Sequence, residues 1–235
     1  MGFFYQLQLE KNIEATIEFK KVKHIYLRID KNSGNVRVVA PKNADKQLVK
    51  NFLFSKLDWI KGHQEKIKSK IILPQKEFLE GEYHFLFGKE YLLKIEETTK
   101  TNKVFIDNQY LVLQLKPDCN KEKRKLLIEN WYRLILQKEI PLLIKKWEPL
   151  MEVKVNEFGI KKMKTKWGTC NILAKRIWLN LELAKRPFAC LEYVVVHEMV
   201  HLLERNHTPR FHGFMTRFLP HWKETKVLLN EMGID

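Results

Sequence analysis

The chain has 235 residues, 45% hydrophobic and 11% aromatic, so it can build a substantial core and lacks the composition of a disordered protein. Its formal net charge is +15, from 43 basic and 28 acidic side chains. No segment contains the roughly 18 consecutive apolar residues that a membrane span requires, and the first residues do not read as a secretion signal. The three scattered cysteines form neither a disulfide framework nor a CxxC motif, so we expect a reducing, cytoplasmic location.

The first half of the sequence predicts β-strands and one helix, with no internal repeat. Alternating apolar and polar residues predict four strands, at 6–12, 14–21, 24–30 and 35–41. Turn residues at 30–35 make the last two a hairpin. Apolar residues at helical spacing then predict a helix within 43–70, with Asn43 or Asp45 as its N-cap. Four more strands are predicted, at 83–88, 90–97, 103–108 and 110–115.

The second half is mainly helical. A long amphipathic helix is predicted at 121–151, where Pro141 is expected to kink or divide it. The elements predicted after it are strands at 154–160, 163–170 and 176–183, then helices at 188–205 and 212–232. We therefore predict an α+β protein with a β-rich N-terminal part at 1–118 and a catalytic domain at 119–235.

The most apolar stretch of the chain contains an H-E-x-x-H motif, formed by His197, Glu198 and His201. Residues four apart share one face of a helix, so both imidazoles can bind one ion. Two imidazoles with a third ligand and a water suit tetrahedral Zn²⁺, which activates the water for peptide hydrolysis. Glu198 can take a proton from that water without being a ligand. The alternatives are two histidines bonded to backbone carbonyls, or a structural zinc, although no cysteine lies nearby in the sequence.

The third ligand is either His207 or Glu224. His207 lies six residues after His201, too far round to reach the ion if the helix continued. Asn206 tolerates the left-handed conformation that ends helices, and Pro209 prevents the helix from resuming, so a turn would return His207 to the metal. Glu224 lies on the next helix, at a distance along the chain typical of glutamate-ligated zinc peptidases. The loop residues favour His207, and we predict one Zn²⁺ per chain.

The segments "KTKWGTC", "RIWLNLELAKRP" and "LEYVVVHEMVHLLERNHTPRFHGFM" closely resemble the YgjP-like metallopeptidase domain family, relatives of the WLM and SprT-type zinc proteases. "IYLRID", "VRVVAP" and "FLFSKLDWI" resemble its N-terminal part. The resemblance implies a zincin-type core in which His197, His201 and His207 bind zinc and Glu198 is the general base. One departure is His212, where the family pattern has an aromatic residue, often Trp. It is either a harmless replacement, which we favour, or an extra polar group near the site.

Supporting residues surround this motif. Trp167, Gly168 and Thr169 are predicted to form a strand at the rim of the cleft, where an extended substrate could add as a further strand. A core role for Trp167 is the alternative. Asn180 is predicted either to hydrogen-bond close to the site or to end a strand. The nearest candidates for stabilising an oxyanion are Tyr193, Arg210 and His221.

Basic clusters recur at 20–23, 66–70, 121–125 and 161–166. Such a surface attracts nucleic acid, although lysine predominates here and base readout favours arginine. The candidate contacts beside the predicted cleft strand are Lys161, Lys162, Lys164 and Lys166. The leading hypothesis is a zinc peptidase acting on a peptide or protein substrate. The alternatives are a protease acting on nucleic-acid-bound proteins and a non-catalytic zincin scaffold associated with nucleic acid; no membrane partner is expected.

Overall fold

The computed structural model of the protein describes residues 4–30, 33–68 and 76–233. The chain forms two compact units, Met1–Gln75 and Lys76–Asp235, called here the N-terminal unit and the C-terminal unit. Within the described ranges there are six α-helices and three mixed sheets, so the predicted α+β class with a β-rich N-terminal part is confirmed. None of the described helices is long and apolar enough to cross a membrane.

The N-terminal unit has four strands and two helices: β1 (Phe4–Glu10), β2 (Ile13–Lys20), β3 (Tyr26–Ile29), β4 (Val36–Pro41), α1 (Lys46–Ser55) and α2 (Leu57–Lys68). The single helix predicted within 43–70 is therefore wrong, because Lys56 caps α1 and interrupts it before α2. Asp45 is the N-cap, accepting a 3.0 Å hydrogen bond from the backbone N–H of Gln47. The end of the predicted helix, 69–70, and positions 31–32 of the hairpin turn lie outside the described residues.

The four strands form a sheet in the order β1-β2-β4-β3. The pairs β1–β2 and β3–β4 are antiparallel, which confirms the predicted hairpin, whereas β2 and β4 are parallel. Alternate residues of β2 and β4 are fully buried, including Ile17 and Val38, and they share an apolar core with Val49 and Leu53 of α1. The strands thus bury one face against the helices because their side chains alternate with a period of two.

The C-terminal unit begins with β5 (Tyr83–Leu86), β6 (Lys89–Glu97), β7 (Lys103–Asp107), β8 (Tyr110–Leu115) and α3 (Lys121–Met151). It continues with β9 (Glu157–Lys161), β10 (Gly168–Asn171), β11 (Arg176–Asn180), a 3₁₀ helix (Leu181–Lys185), α4 (Phe188–Val200), α5 (Pro209–Phe218) and α6 (Trp222–Met232). Asn120 caps α3, and the helix continues through Pro141, which does not divide it. The helix predicted at 212–232 is instead two helices, separated near Pro220.

The second sheet has the order β5-β6-β8-β7, with an antiparallel, a parallel and an antiparallel pair in turn. It therefore repeats the topology of the first sheet, although the sequence shows no repeat. Its buried residues, such as Leu93 and Leu111, belong to the same apolar core as Ile128 and Leu136 of α3. The division between compact units consequently falls at 75/76 rather than at the predicted 118/119, since β5–β8 share their core with the elements that follow.

The third sheet positions the candidate site. Its order is β10-β11-β9, with β10 antiparallel and β9 parallel to β11, so β10 is an edge strand. Within the segment predicted as a strand at 163–170, only the last three residues, from Gly168, form a strand. The residues before Gly168 form a bend that is held by hydrogen bonds from Asn180. The strand predicted at 176–183 ends at Asn180, where the 3₁₀ helix begins.

Candidate metal centre

Helix α4 is apolar on nearly every face, and nine of its 13 residues are buried, so it is the central helix of the C-terminal unit. It packs against β10, β11, α3, α5 and α6. Its last turn carries His197 and Glu198, and His201 is its C-cap residue. The helix therefore ends at Val200 rather than at the predicted residue 205.

The turn that follows α4 differs from the one predicted. Asn206 is not among the described non-glycine residues with positive φ, so the expected left-handed helix end is wrong. The chain instead reverses directly after the helix, through backbone hydrogen bonds between residues three apart. The N–H of Leu202 donates to the carbonyl oxygen of Met199, and that of Leu203 donates to the carbonyl oxygen of Val200. Tight turns of this kind end a helix without a residue in the left-handed region.

Helix α5 begins immediately after His207. Pro209 is its first residue, where the missing N–H costs no hydrogen bond, and the Thr208 hydroxyl caps it by accepting from the Phe211 N–H at 3.3 Å. The proline thus starts a helix and does not merely prevent one. This cap fixes His207 at the point where the returning chain meets α4.

The structure brings three histidines together. Among the described residues, His197, His201 and His207 form the one group of three or more side chains that could hold a metal ion, with ligand atoms within 4.8 Å of one another. The Nε2 atoms of His197 and His207 lie 3.0 Å apart. Glu224, the alternative third ligand, is outside this group: its side chain is 77% exposed, and Oε2 lies 3.1 Å from His221 Nδ1.

Phe211 holds the three imidazoles in place, a role that the sequence analysis missed. Its side chain is buried, and its ring centroid lies 4.9, 4.8 and 4.7 Å from those of His197, His201 and His207. An aromatic ring in contact with all three histidines restricts their rotamers. The sequence feature that could have identified this role is the position of Phe211, which lies four residues after His207 and inside the capped start of α5.

Glu198 is buried next to this cluster, at 5% exposure. Burial raises the pKa of its carboxyl group to about 8, and the nearby positive charge of Lys166 lowers it in part. Gly168 makes room for this carboxylate: a Cβ atom there would lie 2.6 Å from Oε1 of Glu198. Cys170, two residues further along β10, also lies near Glu198, and burial, with that carboxylate as a second cause, raises the pKa of its thiol to about 12.

Asn180 holds the segment that leads into β10. Its side chain is fully buried, and Nδ2 donates to the carbonyl oxygens of Met163 at 2.9 Å and Lys166 at 2.8 Å. Its Oδ1 accepts from the N–H groups of Met163 at 3.3 Å and Glu182 at 3.2 Å, and its own N–H donates to Trp167 at 2.8 Å. Asn180 therefore both ends β11 and fixes the path of the chain toward Gly168.

The three candidates for oxyanion stabilisation differ in burial and in their contacts with the histidine cluster. Tyr193 is buried on α4 with its ring 5.8 Å from that of His197, and burial, followed by the charge of Glu198, raises its pKa to about 12. Arg210 is 71% exposed, at 4.0 Å from Glu204, and His221 is 86% exposed. Of the three, Tyr193 alone lies against both the histidine cluster and Glu198.

Trp167 is half-buried beneath the Arg186 guanidinium, which lies 5.8 Å from its ring, and it precedes the edge strand. Thr169 lies within that strand, opposite Trp178. His212 stacks in parallel on Trp222 with ring centroids 5.3 Å apart, so it occupies an aromatic position. Its Nδ1 atom is buried without a hydrogen-bond partner.

The four lysines before β10 are all exposed, but two of them contact other parts of the C-terminal unit. Lys161 Nζ lies 3.6 Å from the centre of the Trp178 ring, and Lys162 Nζ lies 2.7 Å from Glu129 and 3.9 Å from Glu182. The remaining two, Lys164 and Lys166, extend from the segment that Asn180 holds. Nucleic-acid binding by this group stays a prediction.

An α+β fold with a buried glutamate beside three converging histidines is the arrangement expected of a metallopeptidase. A family model described as YgjP-like, metallopeptidase domain matches residues 23–232, nearly the whole chain. The protein belongs to this YgjP-like metallopeptidase family, and the predicted family is confirmed. No curated protein matches the chain.

Proposed function

We propose that this protein is a zinc-dependent peptidase in which His197, His201 and His207 hold one Zn²⁺ and Glu198 is the general base. The observation that carries the proposal is the convergence of three imidazoles within 4.8 Å beside a buried carboxylate. Membership of a metallopeptidase family supports the same class of reaction.

The donor set fits zinc. Metal-ligating histidines must be neutral, and burial, with the neighbouring histidines as a second cause, lowers the pKa of His197 to about 3. His201 Nδ1 lies 3.3 Å from the carbonyl oxygen of Glu204, which can only accept, so Nδ1 carries the hydrogen and Nε2 is free to be a ligand. Zn²⁺ bound by three imidazoles would acidify a water and polarise a carbonyl group.

Glu198 supplies the proton transfer. Its carboxylate is adjacent in the chain to His197 but is not one of the converging ligands. Burial raises the pKa of this carboxyl group to about 8, and a cation held by the three histidines would lower it again. The ionised carboxylate can then accept a proton from the attacking water and return it to the leaving amine. Glu198 packs directly on Gly168 of β10, so the carboxylate has few alternative positions.

The edge strand β10 gives the substrate a place to bind. Its partner β11 lies on one side only, so the other side carries unpaired backbone groups. An extended peptide that paired with β10 at Gly168 and Thr169 would lie against Glu198, with specificity from side chains such as Trp167. This placement favours peptides over compact substrates.

The test uses the full-length protein, with zinc content by mass spectrometry and hydrolysis of casein. We expect close to one zinc per chain. Glu198→Gln keeps the size of the side chain but removes its basicity, so hydrolysis should fall at least about a hundredfold while zinc is retained. His207→Ala should lose most of the zinc, and Glu224→Ala, at an exposed position, serves as the matched control and should keep it.

Two outcomes would contradict the proposal. Loss of zinc in Glu224→Ala, with retention in His207→Ala, would mean that the ligand set is wrong. Equal hydrolysis by the wild type and Glu198→Gln would mean that the protein is a non-catalytic scaffold or that another group is the base.

A further inference from the structure

Within the described residues, the sheet of the N-terminal unit has one face without a helix over it. The side chains that alternate with the buried core of β1–β4 lie on this face, called here the open face: Phe4, Gln6, Gln8, Glu14, Thr16, Glu18, Lys20, Tyr26, Arg28, Arg37 and Val39. Two shallow cavities, of about 380 and 480 Å³, lie along the sheet, and the larger is lined by Phe4, Glu18, Lys20, Arg28 and Arg37 among others. The open face is therefore concave and accessible.

Two arginines face each other across this sheet. Arg28 of β3 and Arg37 of β4 are directly paired in the antiparallel register, and both are exposed. Like charges directly opposite each other destabilise a sheet. Within the described ranges neither guanidinium has an ion-pair or hydrogen-bond partner. The nearby carboxylate of Glu18 lies 2.9 Å from Lys20 Nζ. An anion bound between the two arginines would relieve their repulsion.

Two aromatic rings flank the arginines. Phe4 is 71% exposed and Tyr26 is 44% exposed, on the two outer strands of the sheet. Both lie in the row of residues next to the arginines, since Phe4 pairs with Glu18, Glu18 with Val39, and Val39 with Tyr26. Three strand spacings put the two positions about 14 Å apart. Exposed rings beside cations provide stacking surfaces together with charge.

The second sheet has the same topology but no paired arginines, so the topology alone does not produce the arrangement of arginines and rings on the open face. It has the same strand order and pairing, but the corresponding face opposes Phe105 to Val112 and Lys103 to Gln114, and no arginine lies in its strands. Its Lys94 is 2.9 Å from Glu96.

Charge is also unevenly distributed along the chain: residues 1–75 hold 15 basic and 7 acidic residues, so a third of the chain carries more than half of the net charge of +15.

We propose that the open face binds single-stranded nucleic acid, with Arg28 and Arg37 on the phosphates and Phe4 and Tyr26 stacked on bases. Proteins that bind single strands without sequence preference combine a cationic groove with aromatic rings, because every base has a face on which to stack. Arginine binds a phosphate with two parallel hydrogen bonds. This surface belongs to the N-terminal unit, whereas the lysines before β10 belong to the C-terminal unit, and it does not depend on the peptidase chemistry.

The test measures binding of the full-length protein to a fluorescent oligothymidylate of about 16 nucleotides, the largest site size of one OB-fold module in single-strand-binding proteins. Inorganic polyphosphate, which has charge but no bases, is the competitor. We expect Arg28→Ala with Arg37→Ala to weaken oligonucleotide binding at least about tenfold and to reduce the salt slope by about 1.4. Phe4→Ala with Tyr26→Ala should weaken oligonucleotide binding at least about fivefold and leave polyphosphate binding unchanged.

The second sheet offers matched controls. Lys94→Ala with Lys103→Ala removes two charges, and Tyr83→Ala with Phe105→Ala removes two exposed rings, from the equivalent face. Both controls should bind the oligonucleotide as the wild type does. No binding at about 50 mM salt, or equal losses in variants and controls, would overturn the proposal. Equal losses of polyphosphate and oligonucleotide binding in the ring variant would also overturn it. Unchanged circular dichroism spectra show that all four variants fold.

Discussion

The two four-stranded sheets have the same topology but different cores. In the N-terminal unit, every described buried residue is apolar. The buried polar and charged residues of the described chain all lie in the C-terminal unit: His84, Asn180, Glu182, Arg186 and Glu198. The same order of strands therefore supports an ordinary apolar core in one case and a core that carries a candidate active site in the other.

The contrast shows that the unit with the candidate active site contains the buried polar groups that cost folding free energy. Burying a polar group costs free energy unless hydrogen bonds or ion pairs compensate it. The buried carboxylate of Glu182 is paired with Lys185, and both side-chain polar atoms of Asn180 are hydrogen-bonded. The buried carboxylate of Glu198 lacks such an ion pair, and burial raises its pKa. That carboxylate is the one that the proposed reaction uses.

The largest expected effect comes from Asn180. Asn180→Ala would leave the carbonyl oxygens of Met163 and Lys166 and two N–H groups without their partner, so we expect the free energy of unfolding to fall by about 3 kcal/mol. Urea denaturation followed by tryptophan fluorescence measures this. The matched control is Asn156→Ala, exposed and with one hydrogen bond of 3.4 Å, which should cost less than about 0.5 kcal/mol. Similar losses in both variants would mean that Asn180 is not a structural clamp.

A smaller effect is expected at Gly168. The methyl group of Gly168→Ala would lie 2.6 Å from Oε1 of Glu198, so the carboxylate must move. We expect kcat for peptide hydrolysis to fall about tenfold with zinc content unchanged, because a displaced base transfers protons less efficiently. Gly213→Ala on α5 is the control, since nothing lies within 4 Å of its added methyl group. Wild-type kcat in Gly168→Ala would show that Glu198 tolerates the displacement or is not the base.

The smallest effect concerns pH and His84. Burial, with the charges of Lys76 and Lys185 as further causes, lowers its pKa to about 3, against about 6.5 in the unfolded chain. Between these values the unfolded state binds the extra proton, so this stabilisation is complete above about pH 6.5 and is lost as the pH falls toward 3. We expect about 1 kcal/mol less stability at about pH 5.5 than at about pH 7.5 from this residue.

His84→Gln isolates that contribution, because its urea midpoint should change less between the two pH values than that of the wild type. The control is His24→Gln, at an exposed position of the N-terminal unit, which should keep the wild-type pH dependence. An unchanged pH dependence in His84→Gln would contradict the assignment to His84.

Local patterns predicted much of this structure. Strand alternation located the hairpin of β3 and β4, and the Asp45 and H-E-x-x-H signals correctly indicated a helix start and a central helix. The errors occur where local propensity is weak. Lys56 interrupts a helical spacing of apolar residues that continues on both sides of it, and the reversal after Val200 uses backbone hydrogen bonds that any residues can make.

The sequence by itself determined most strands and helices through their periodicity, and the spacing of His197 and His201 through the geometry of one helix. It indicated the family through the resemblance of the segments around the H-E-x-x-H motif. Tertiary structure decided the contacts between segments distant in the chain. It placed β5–β8 in the core of the C-terminal unit, Asn180 against the segment before β10, and Gly168 against Glu198. It also set Arg28 opposite Arg37. Such contacts depend on strand register and packing, and no local pattern specifies which distant segments will meet.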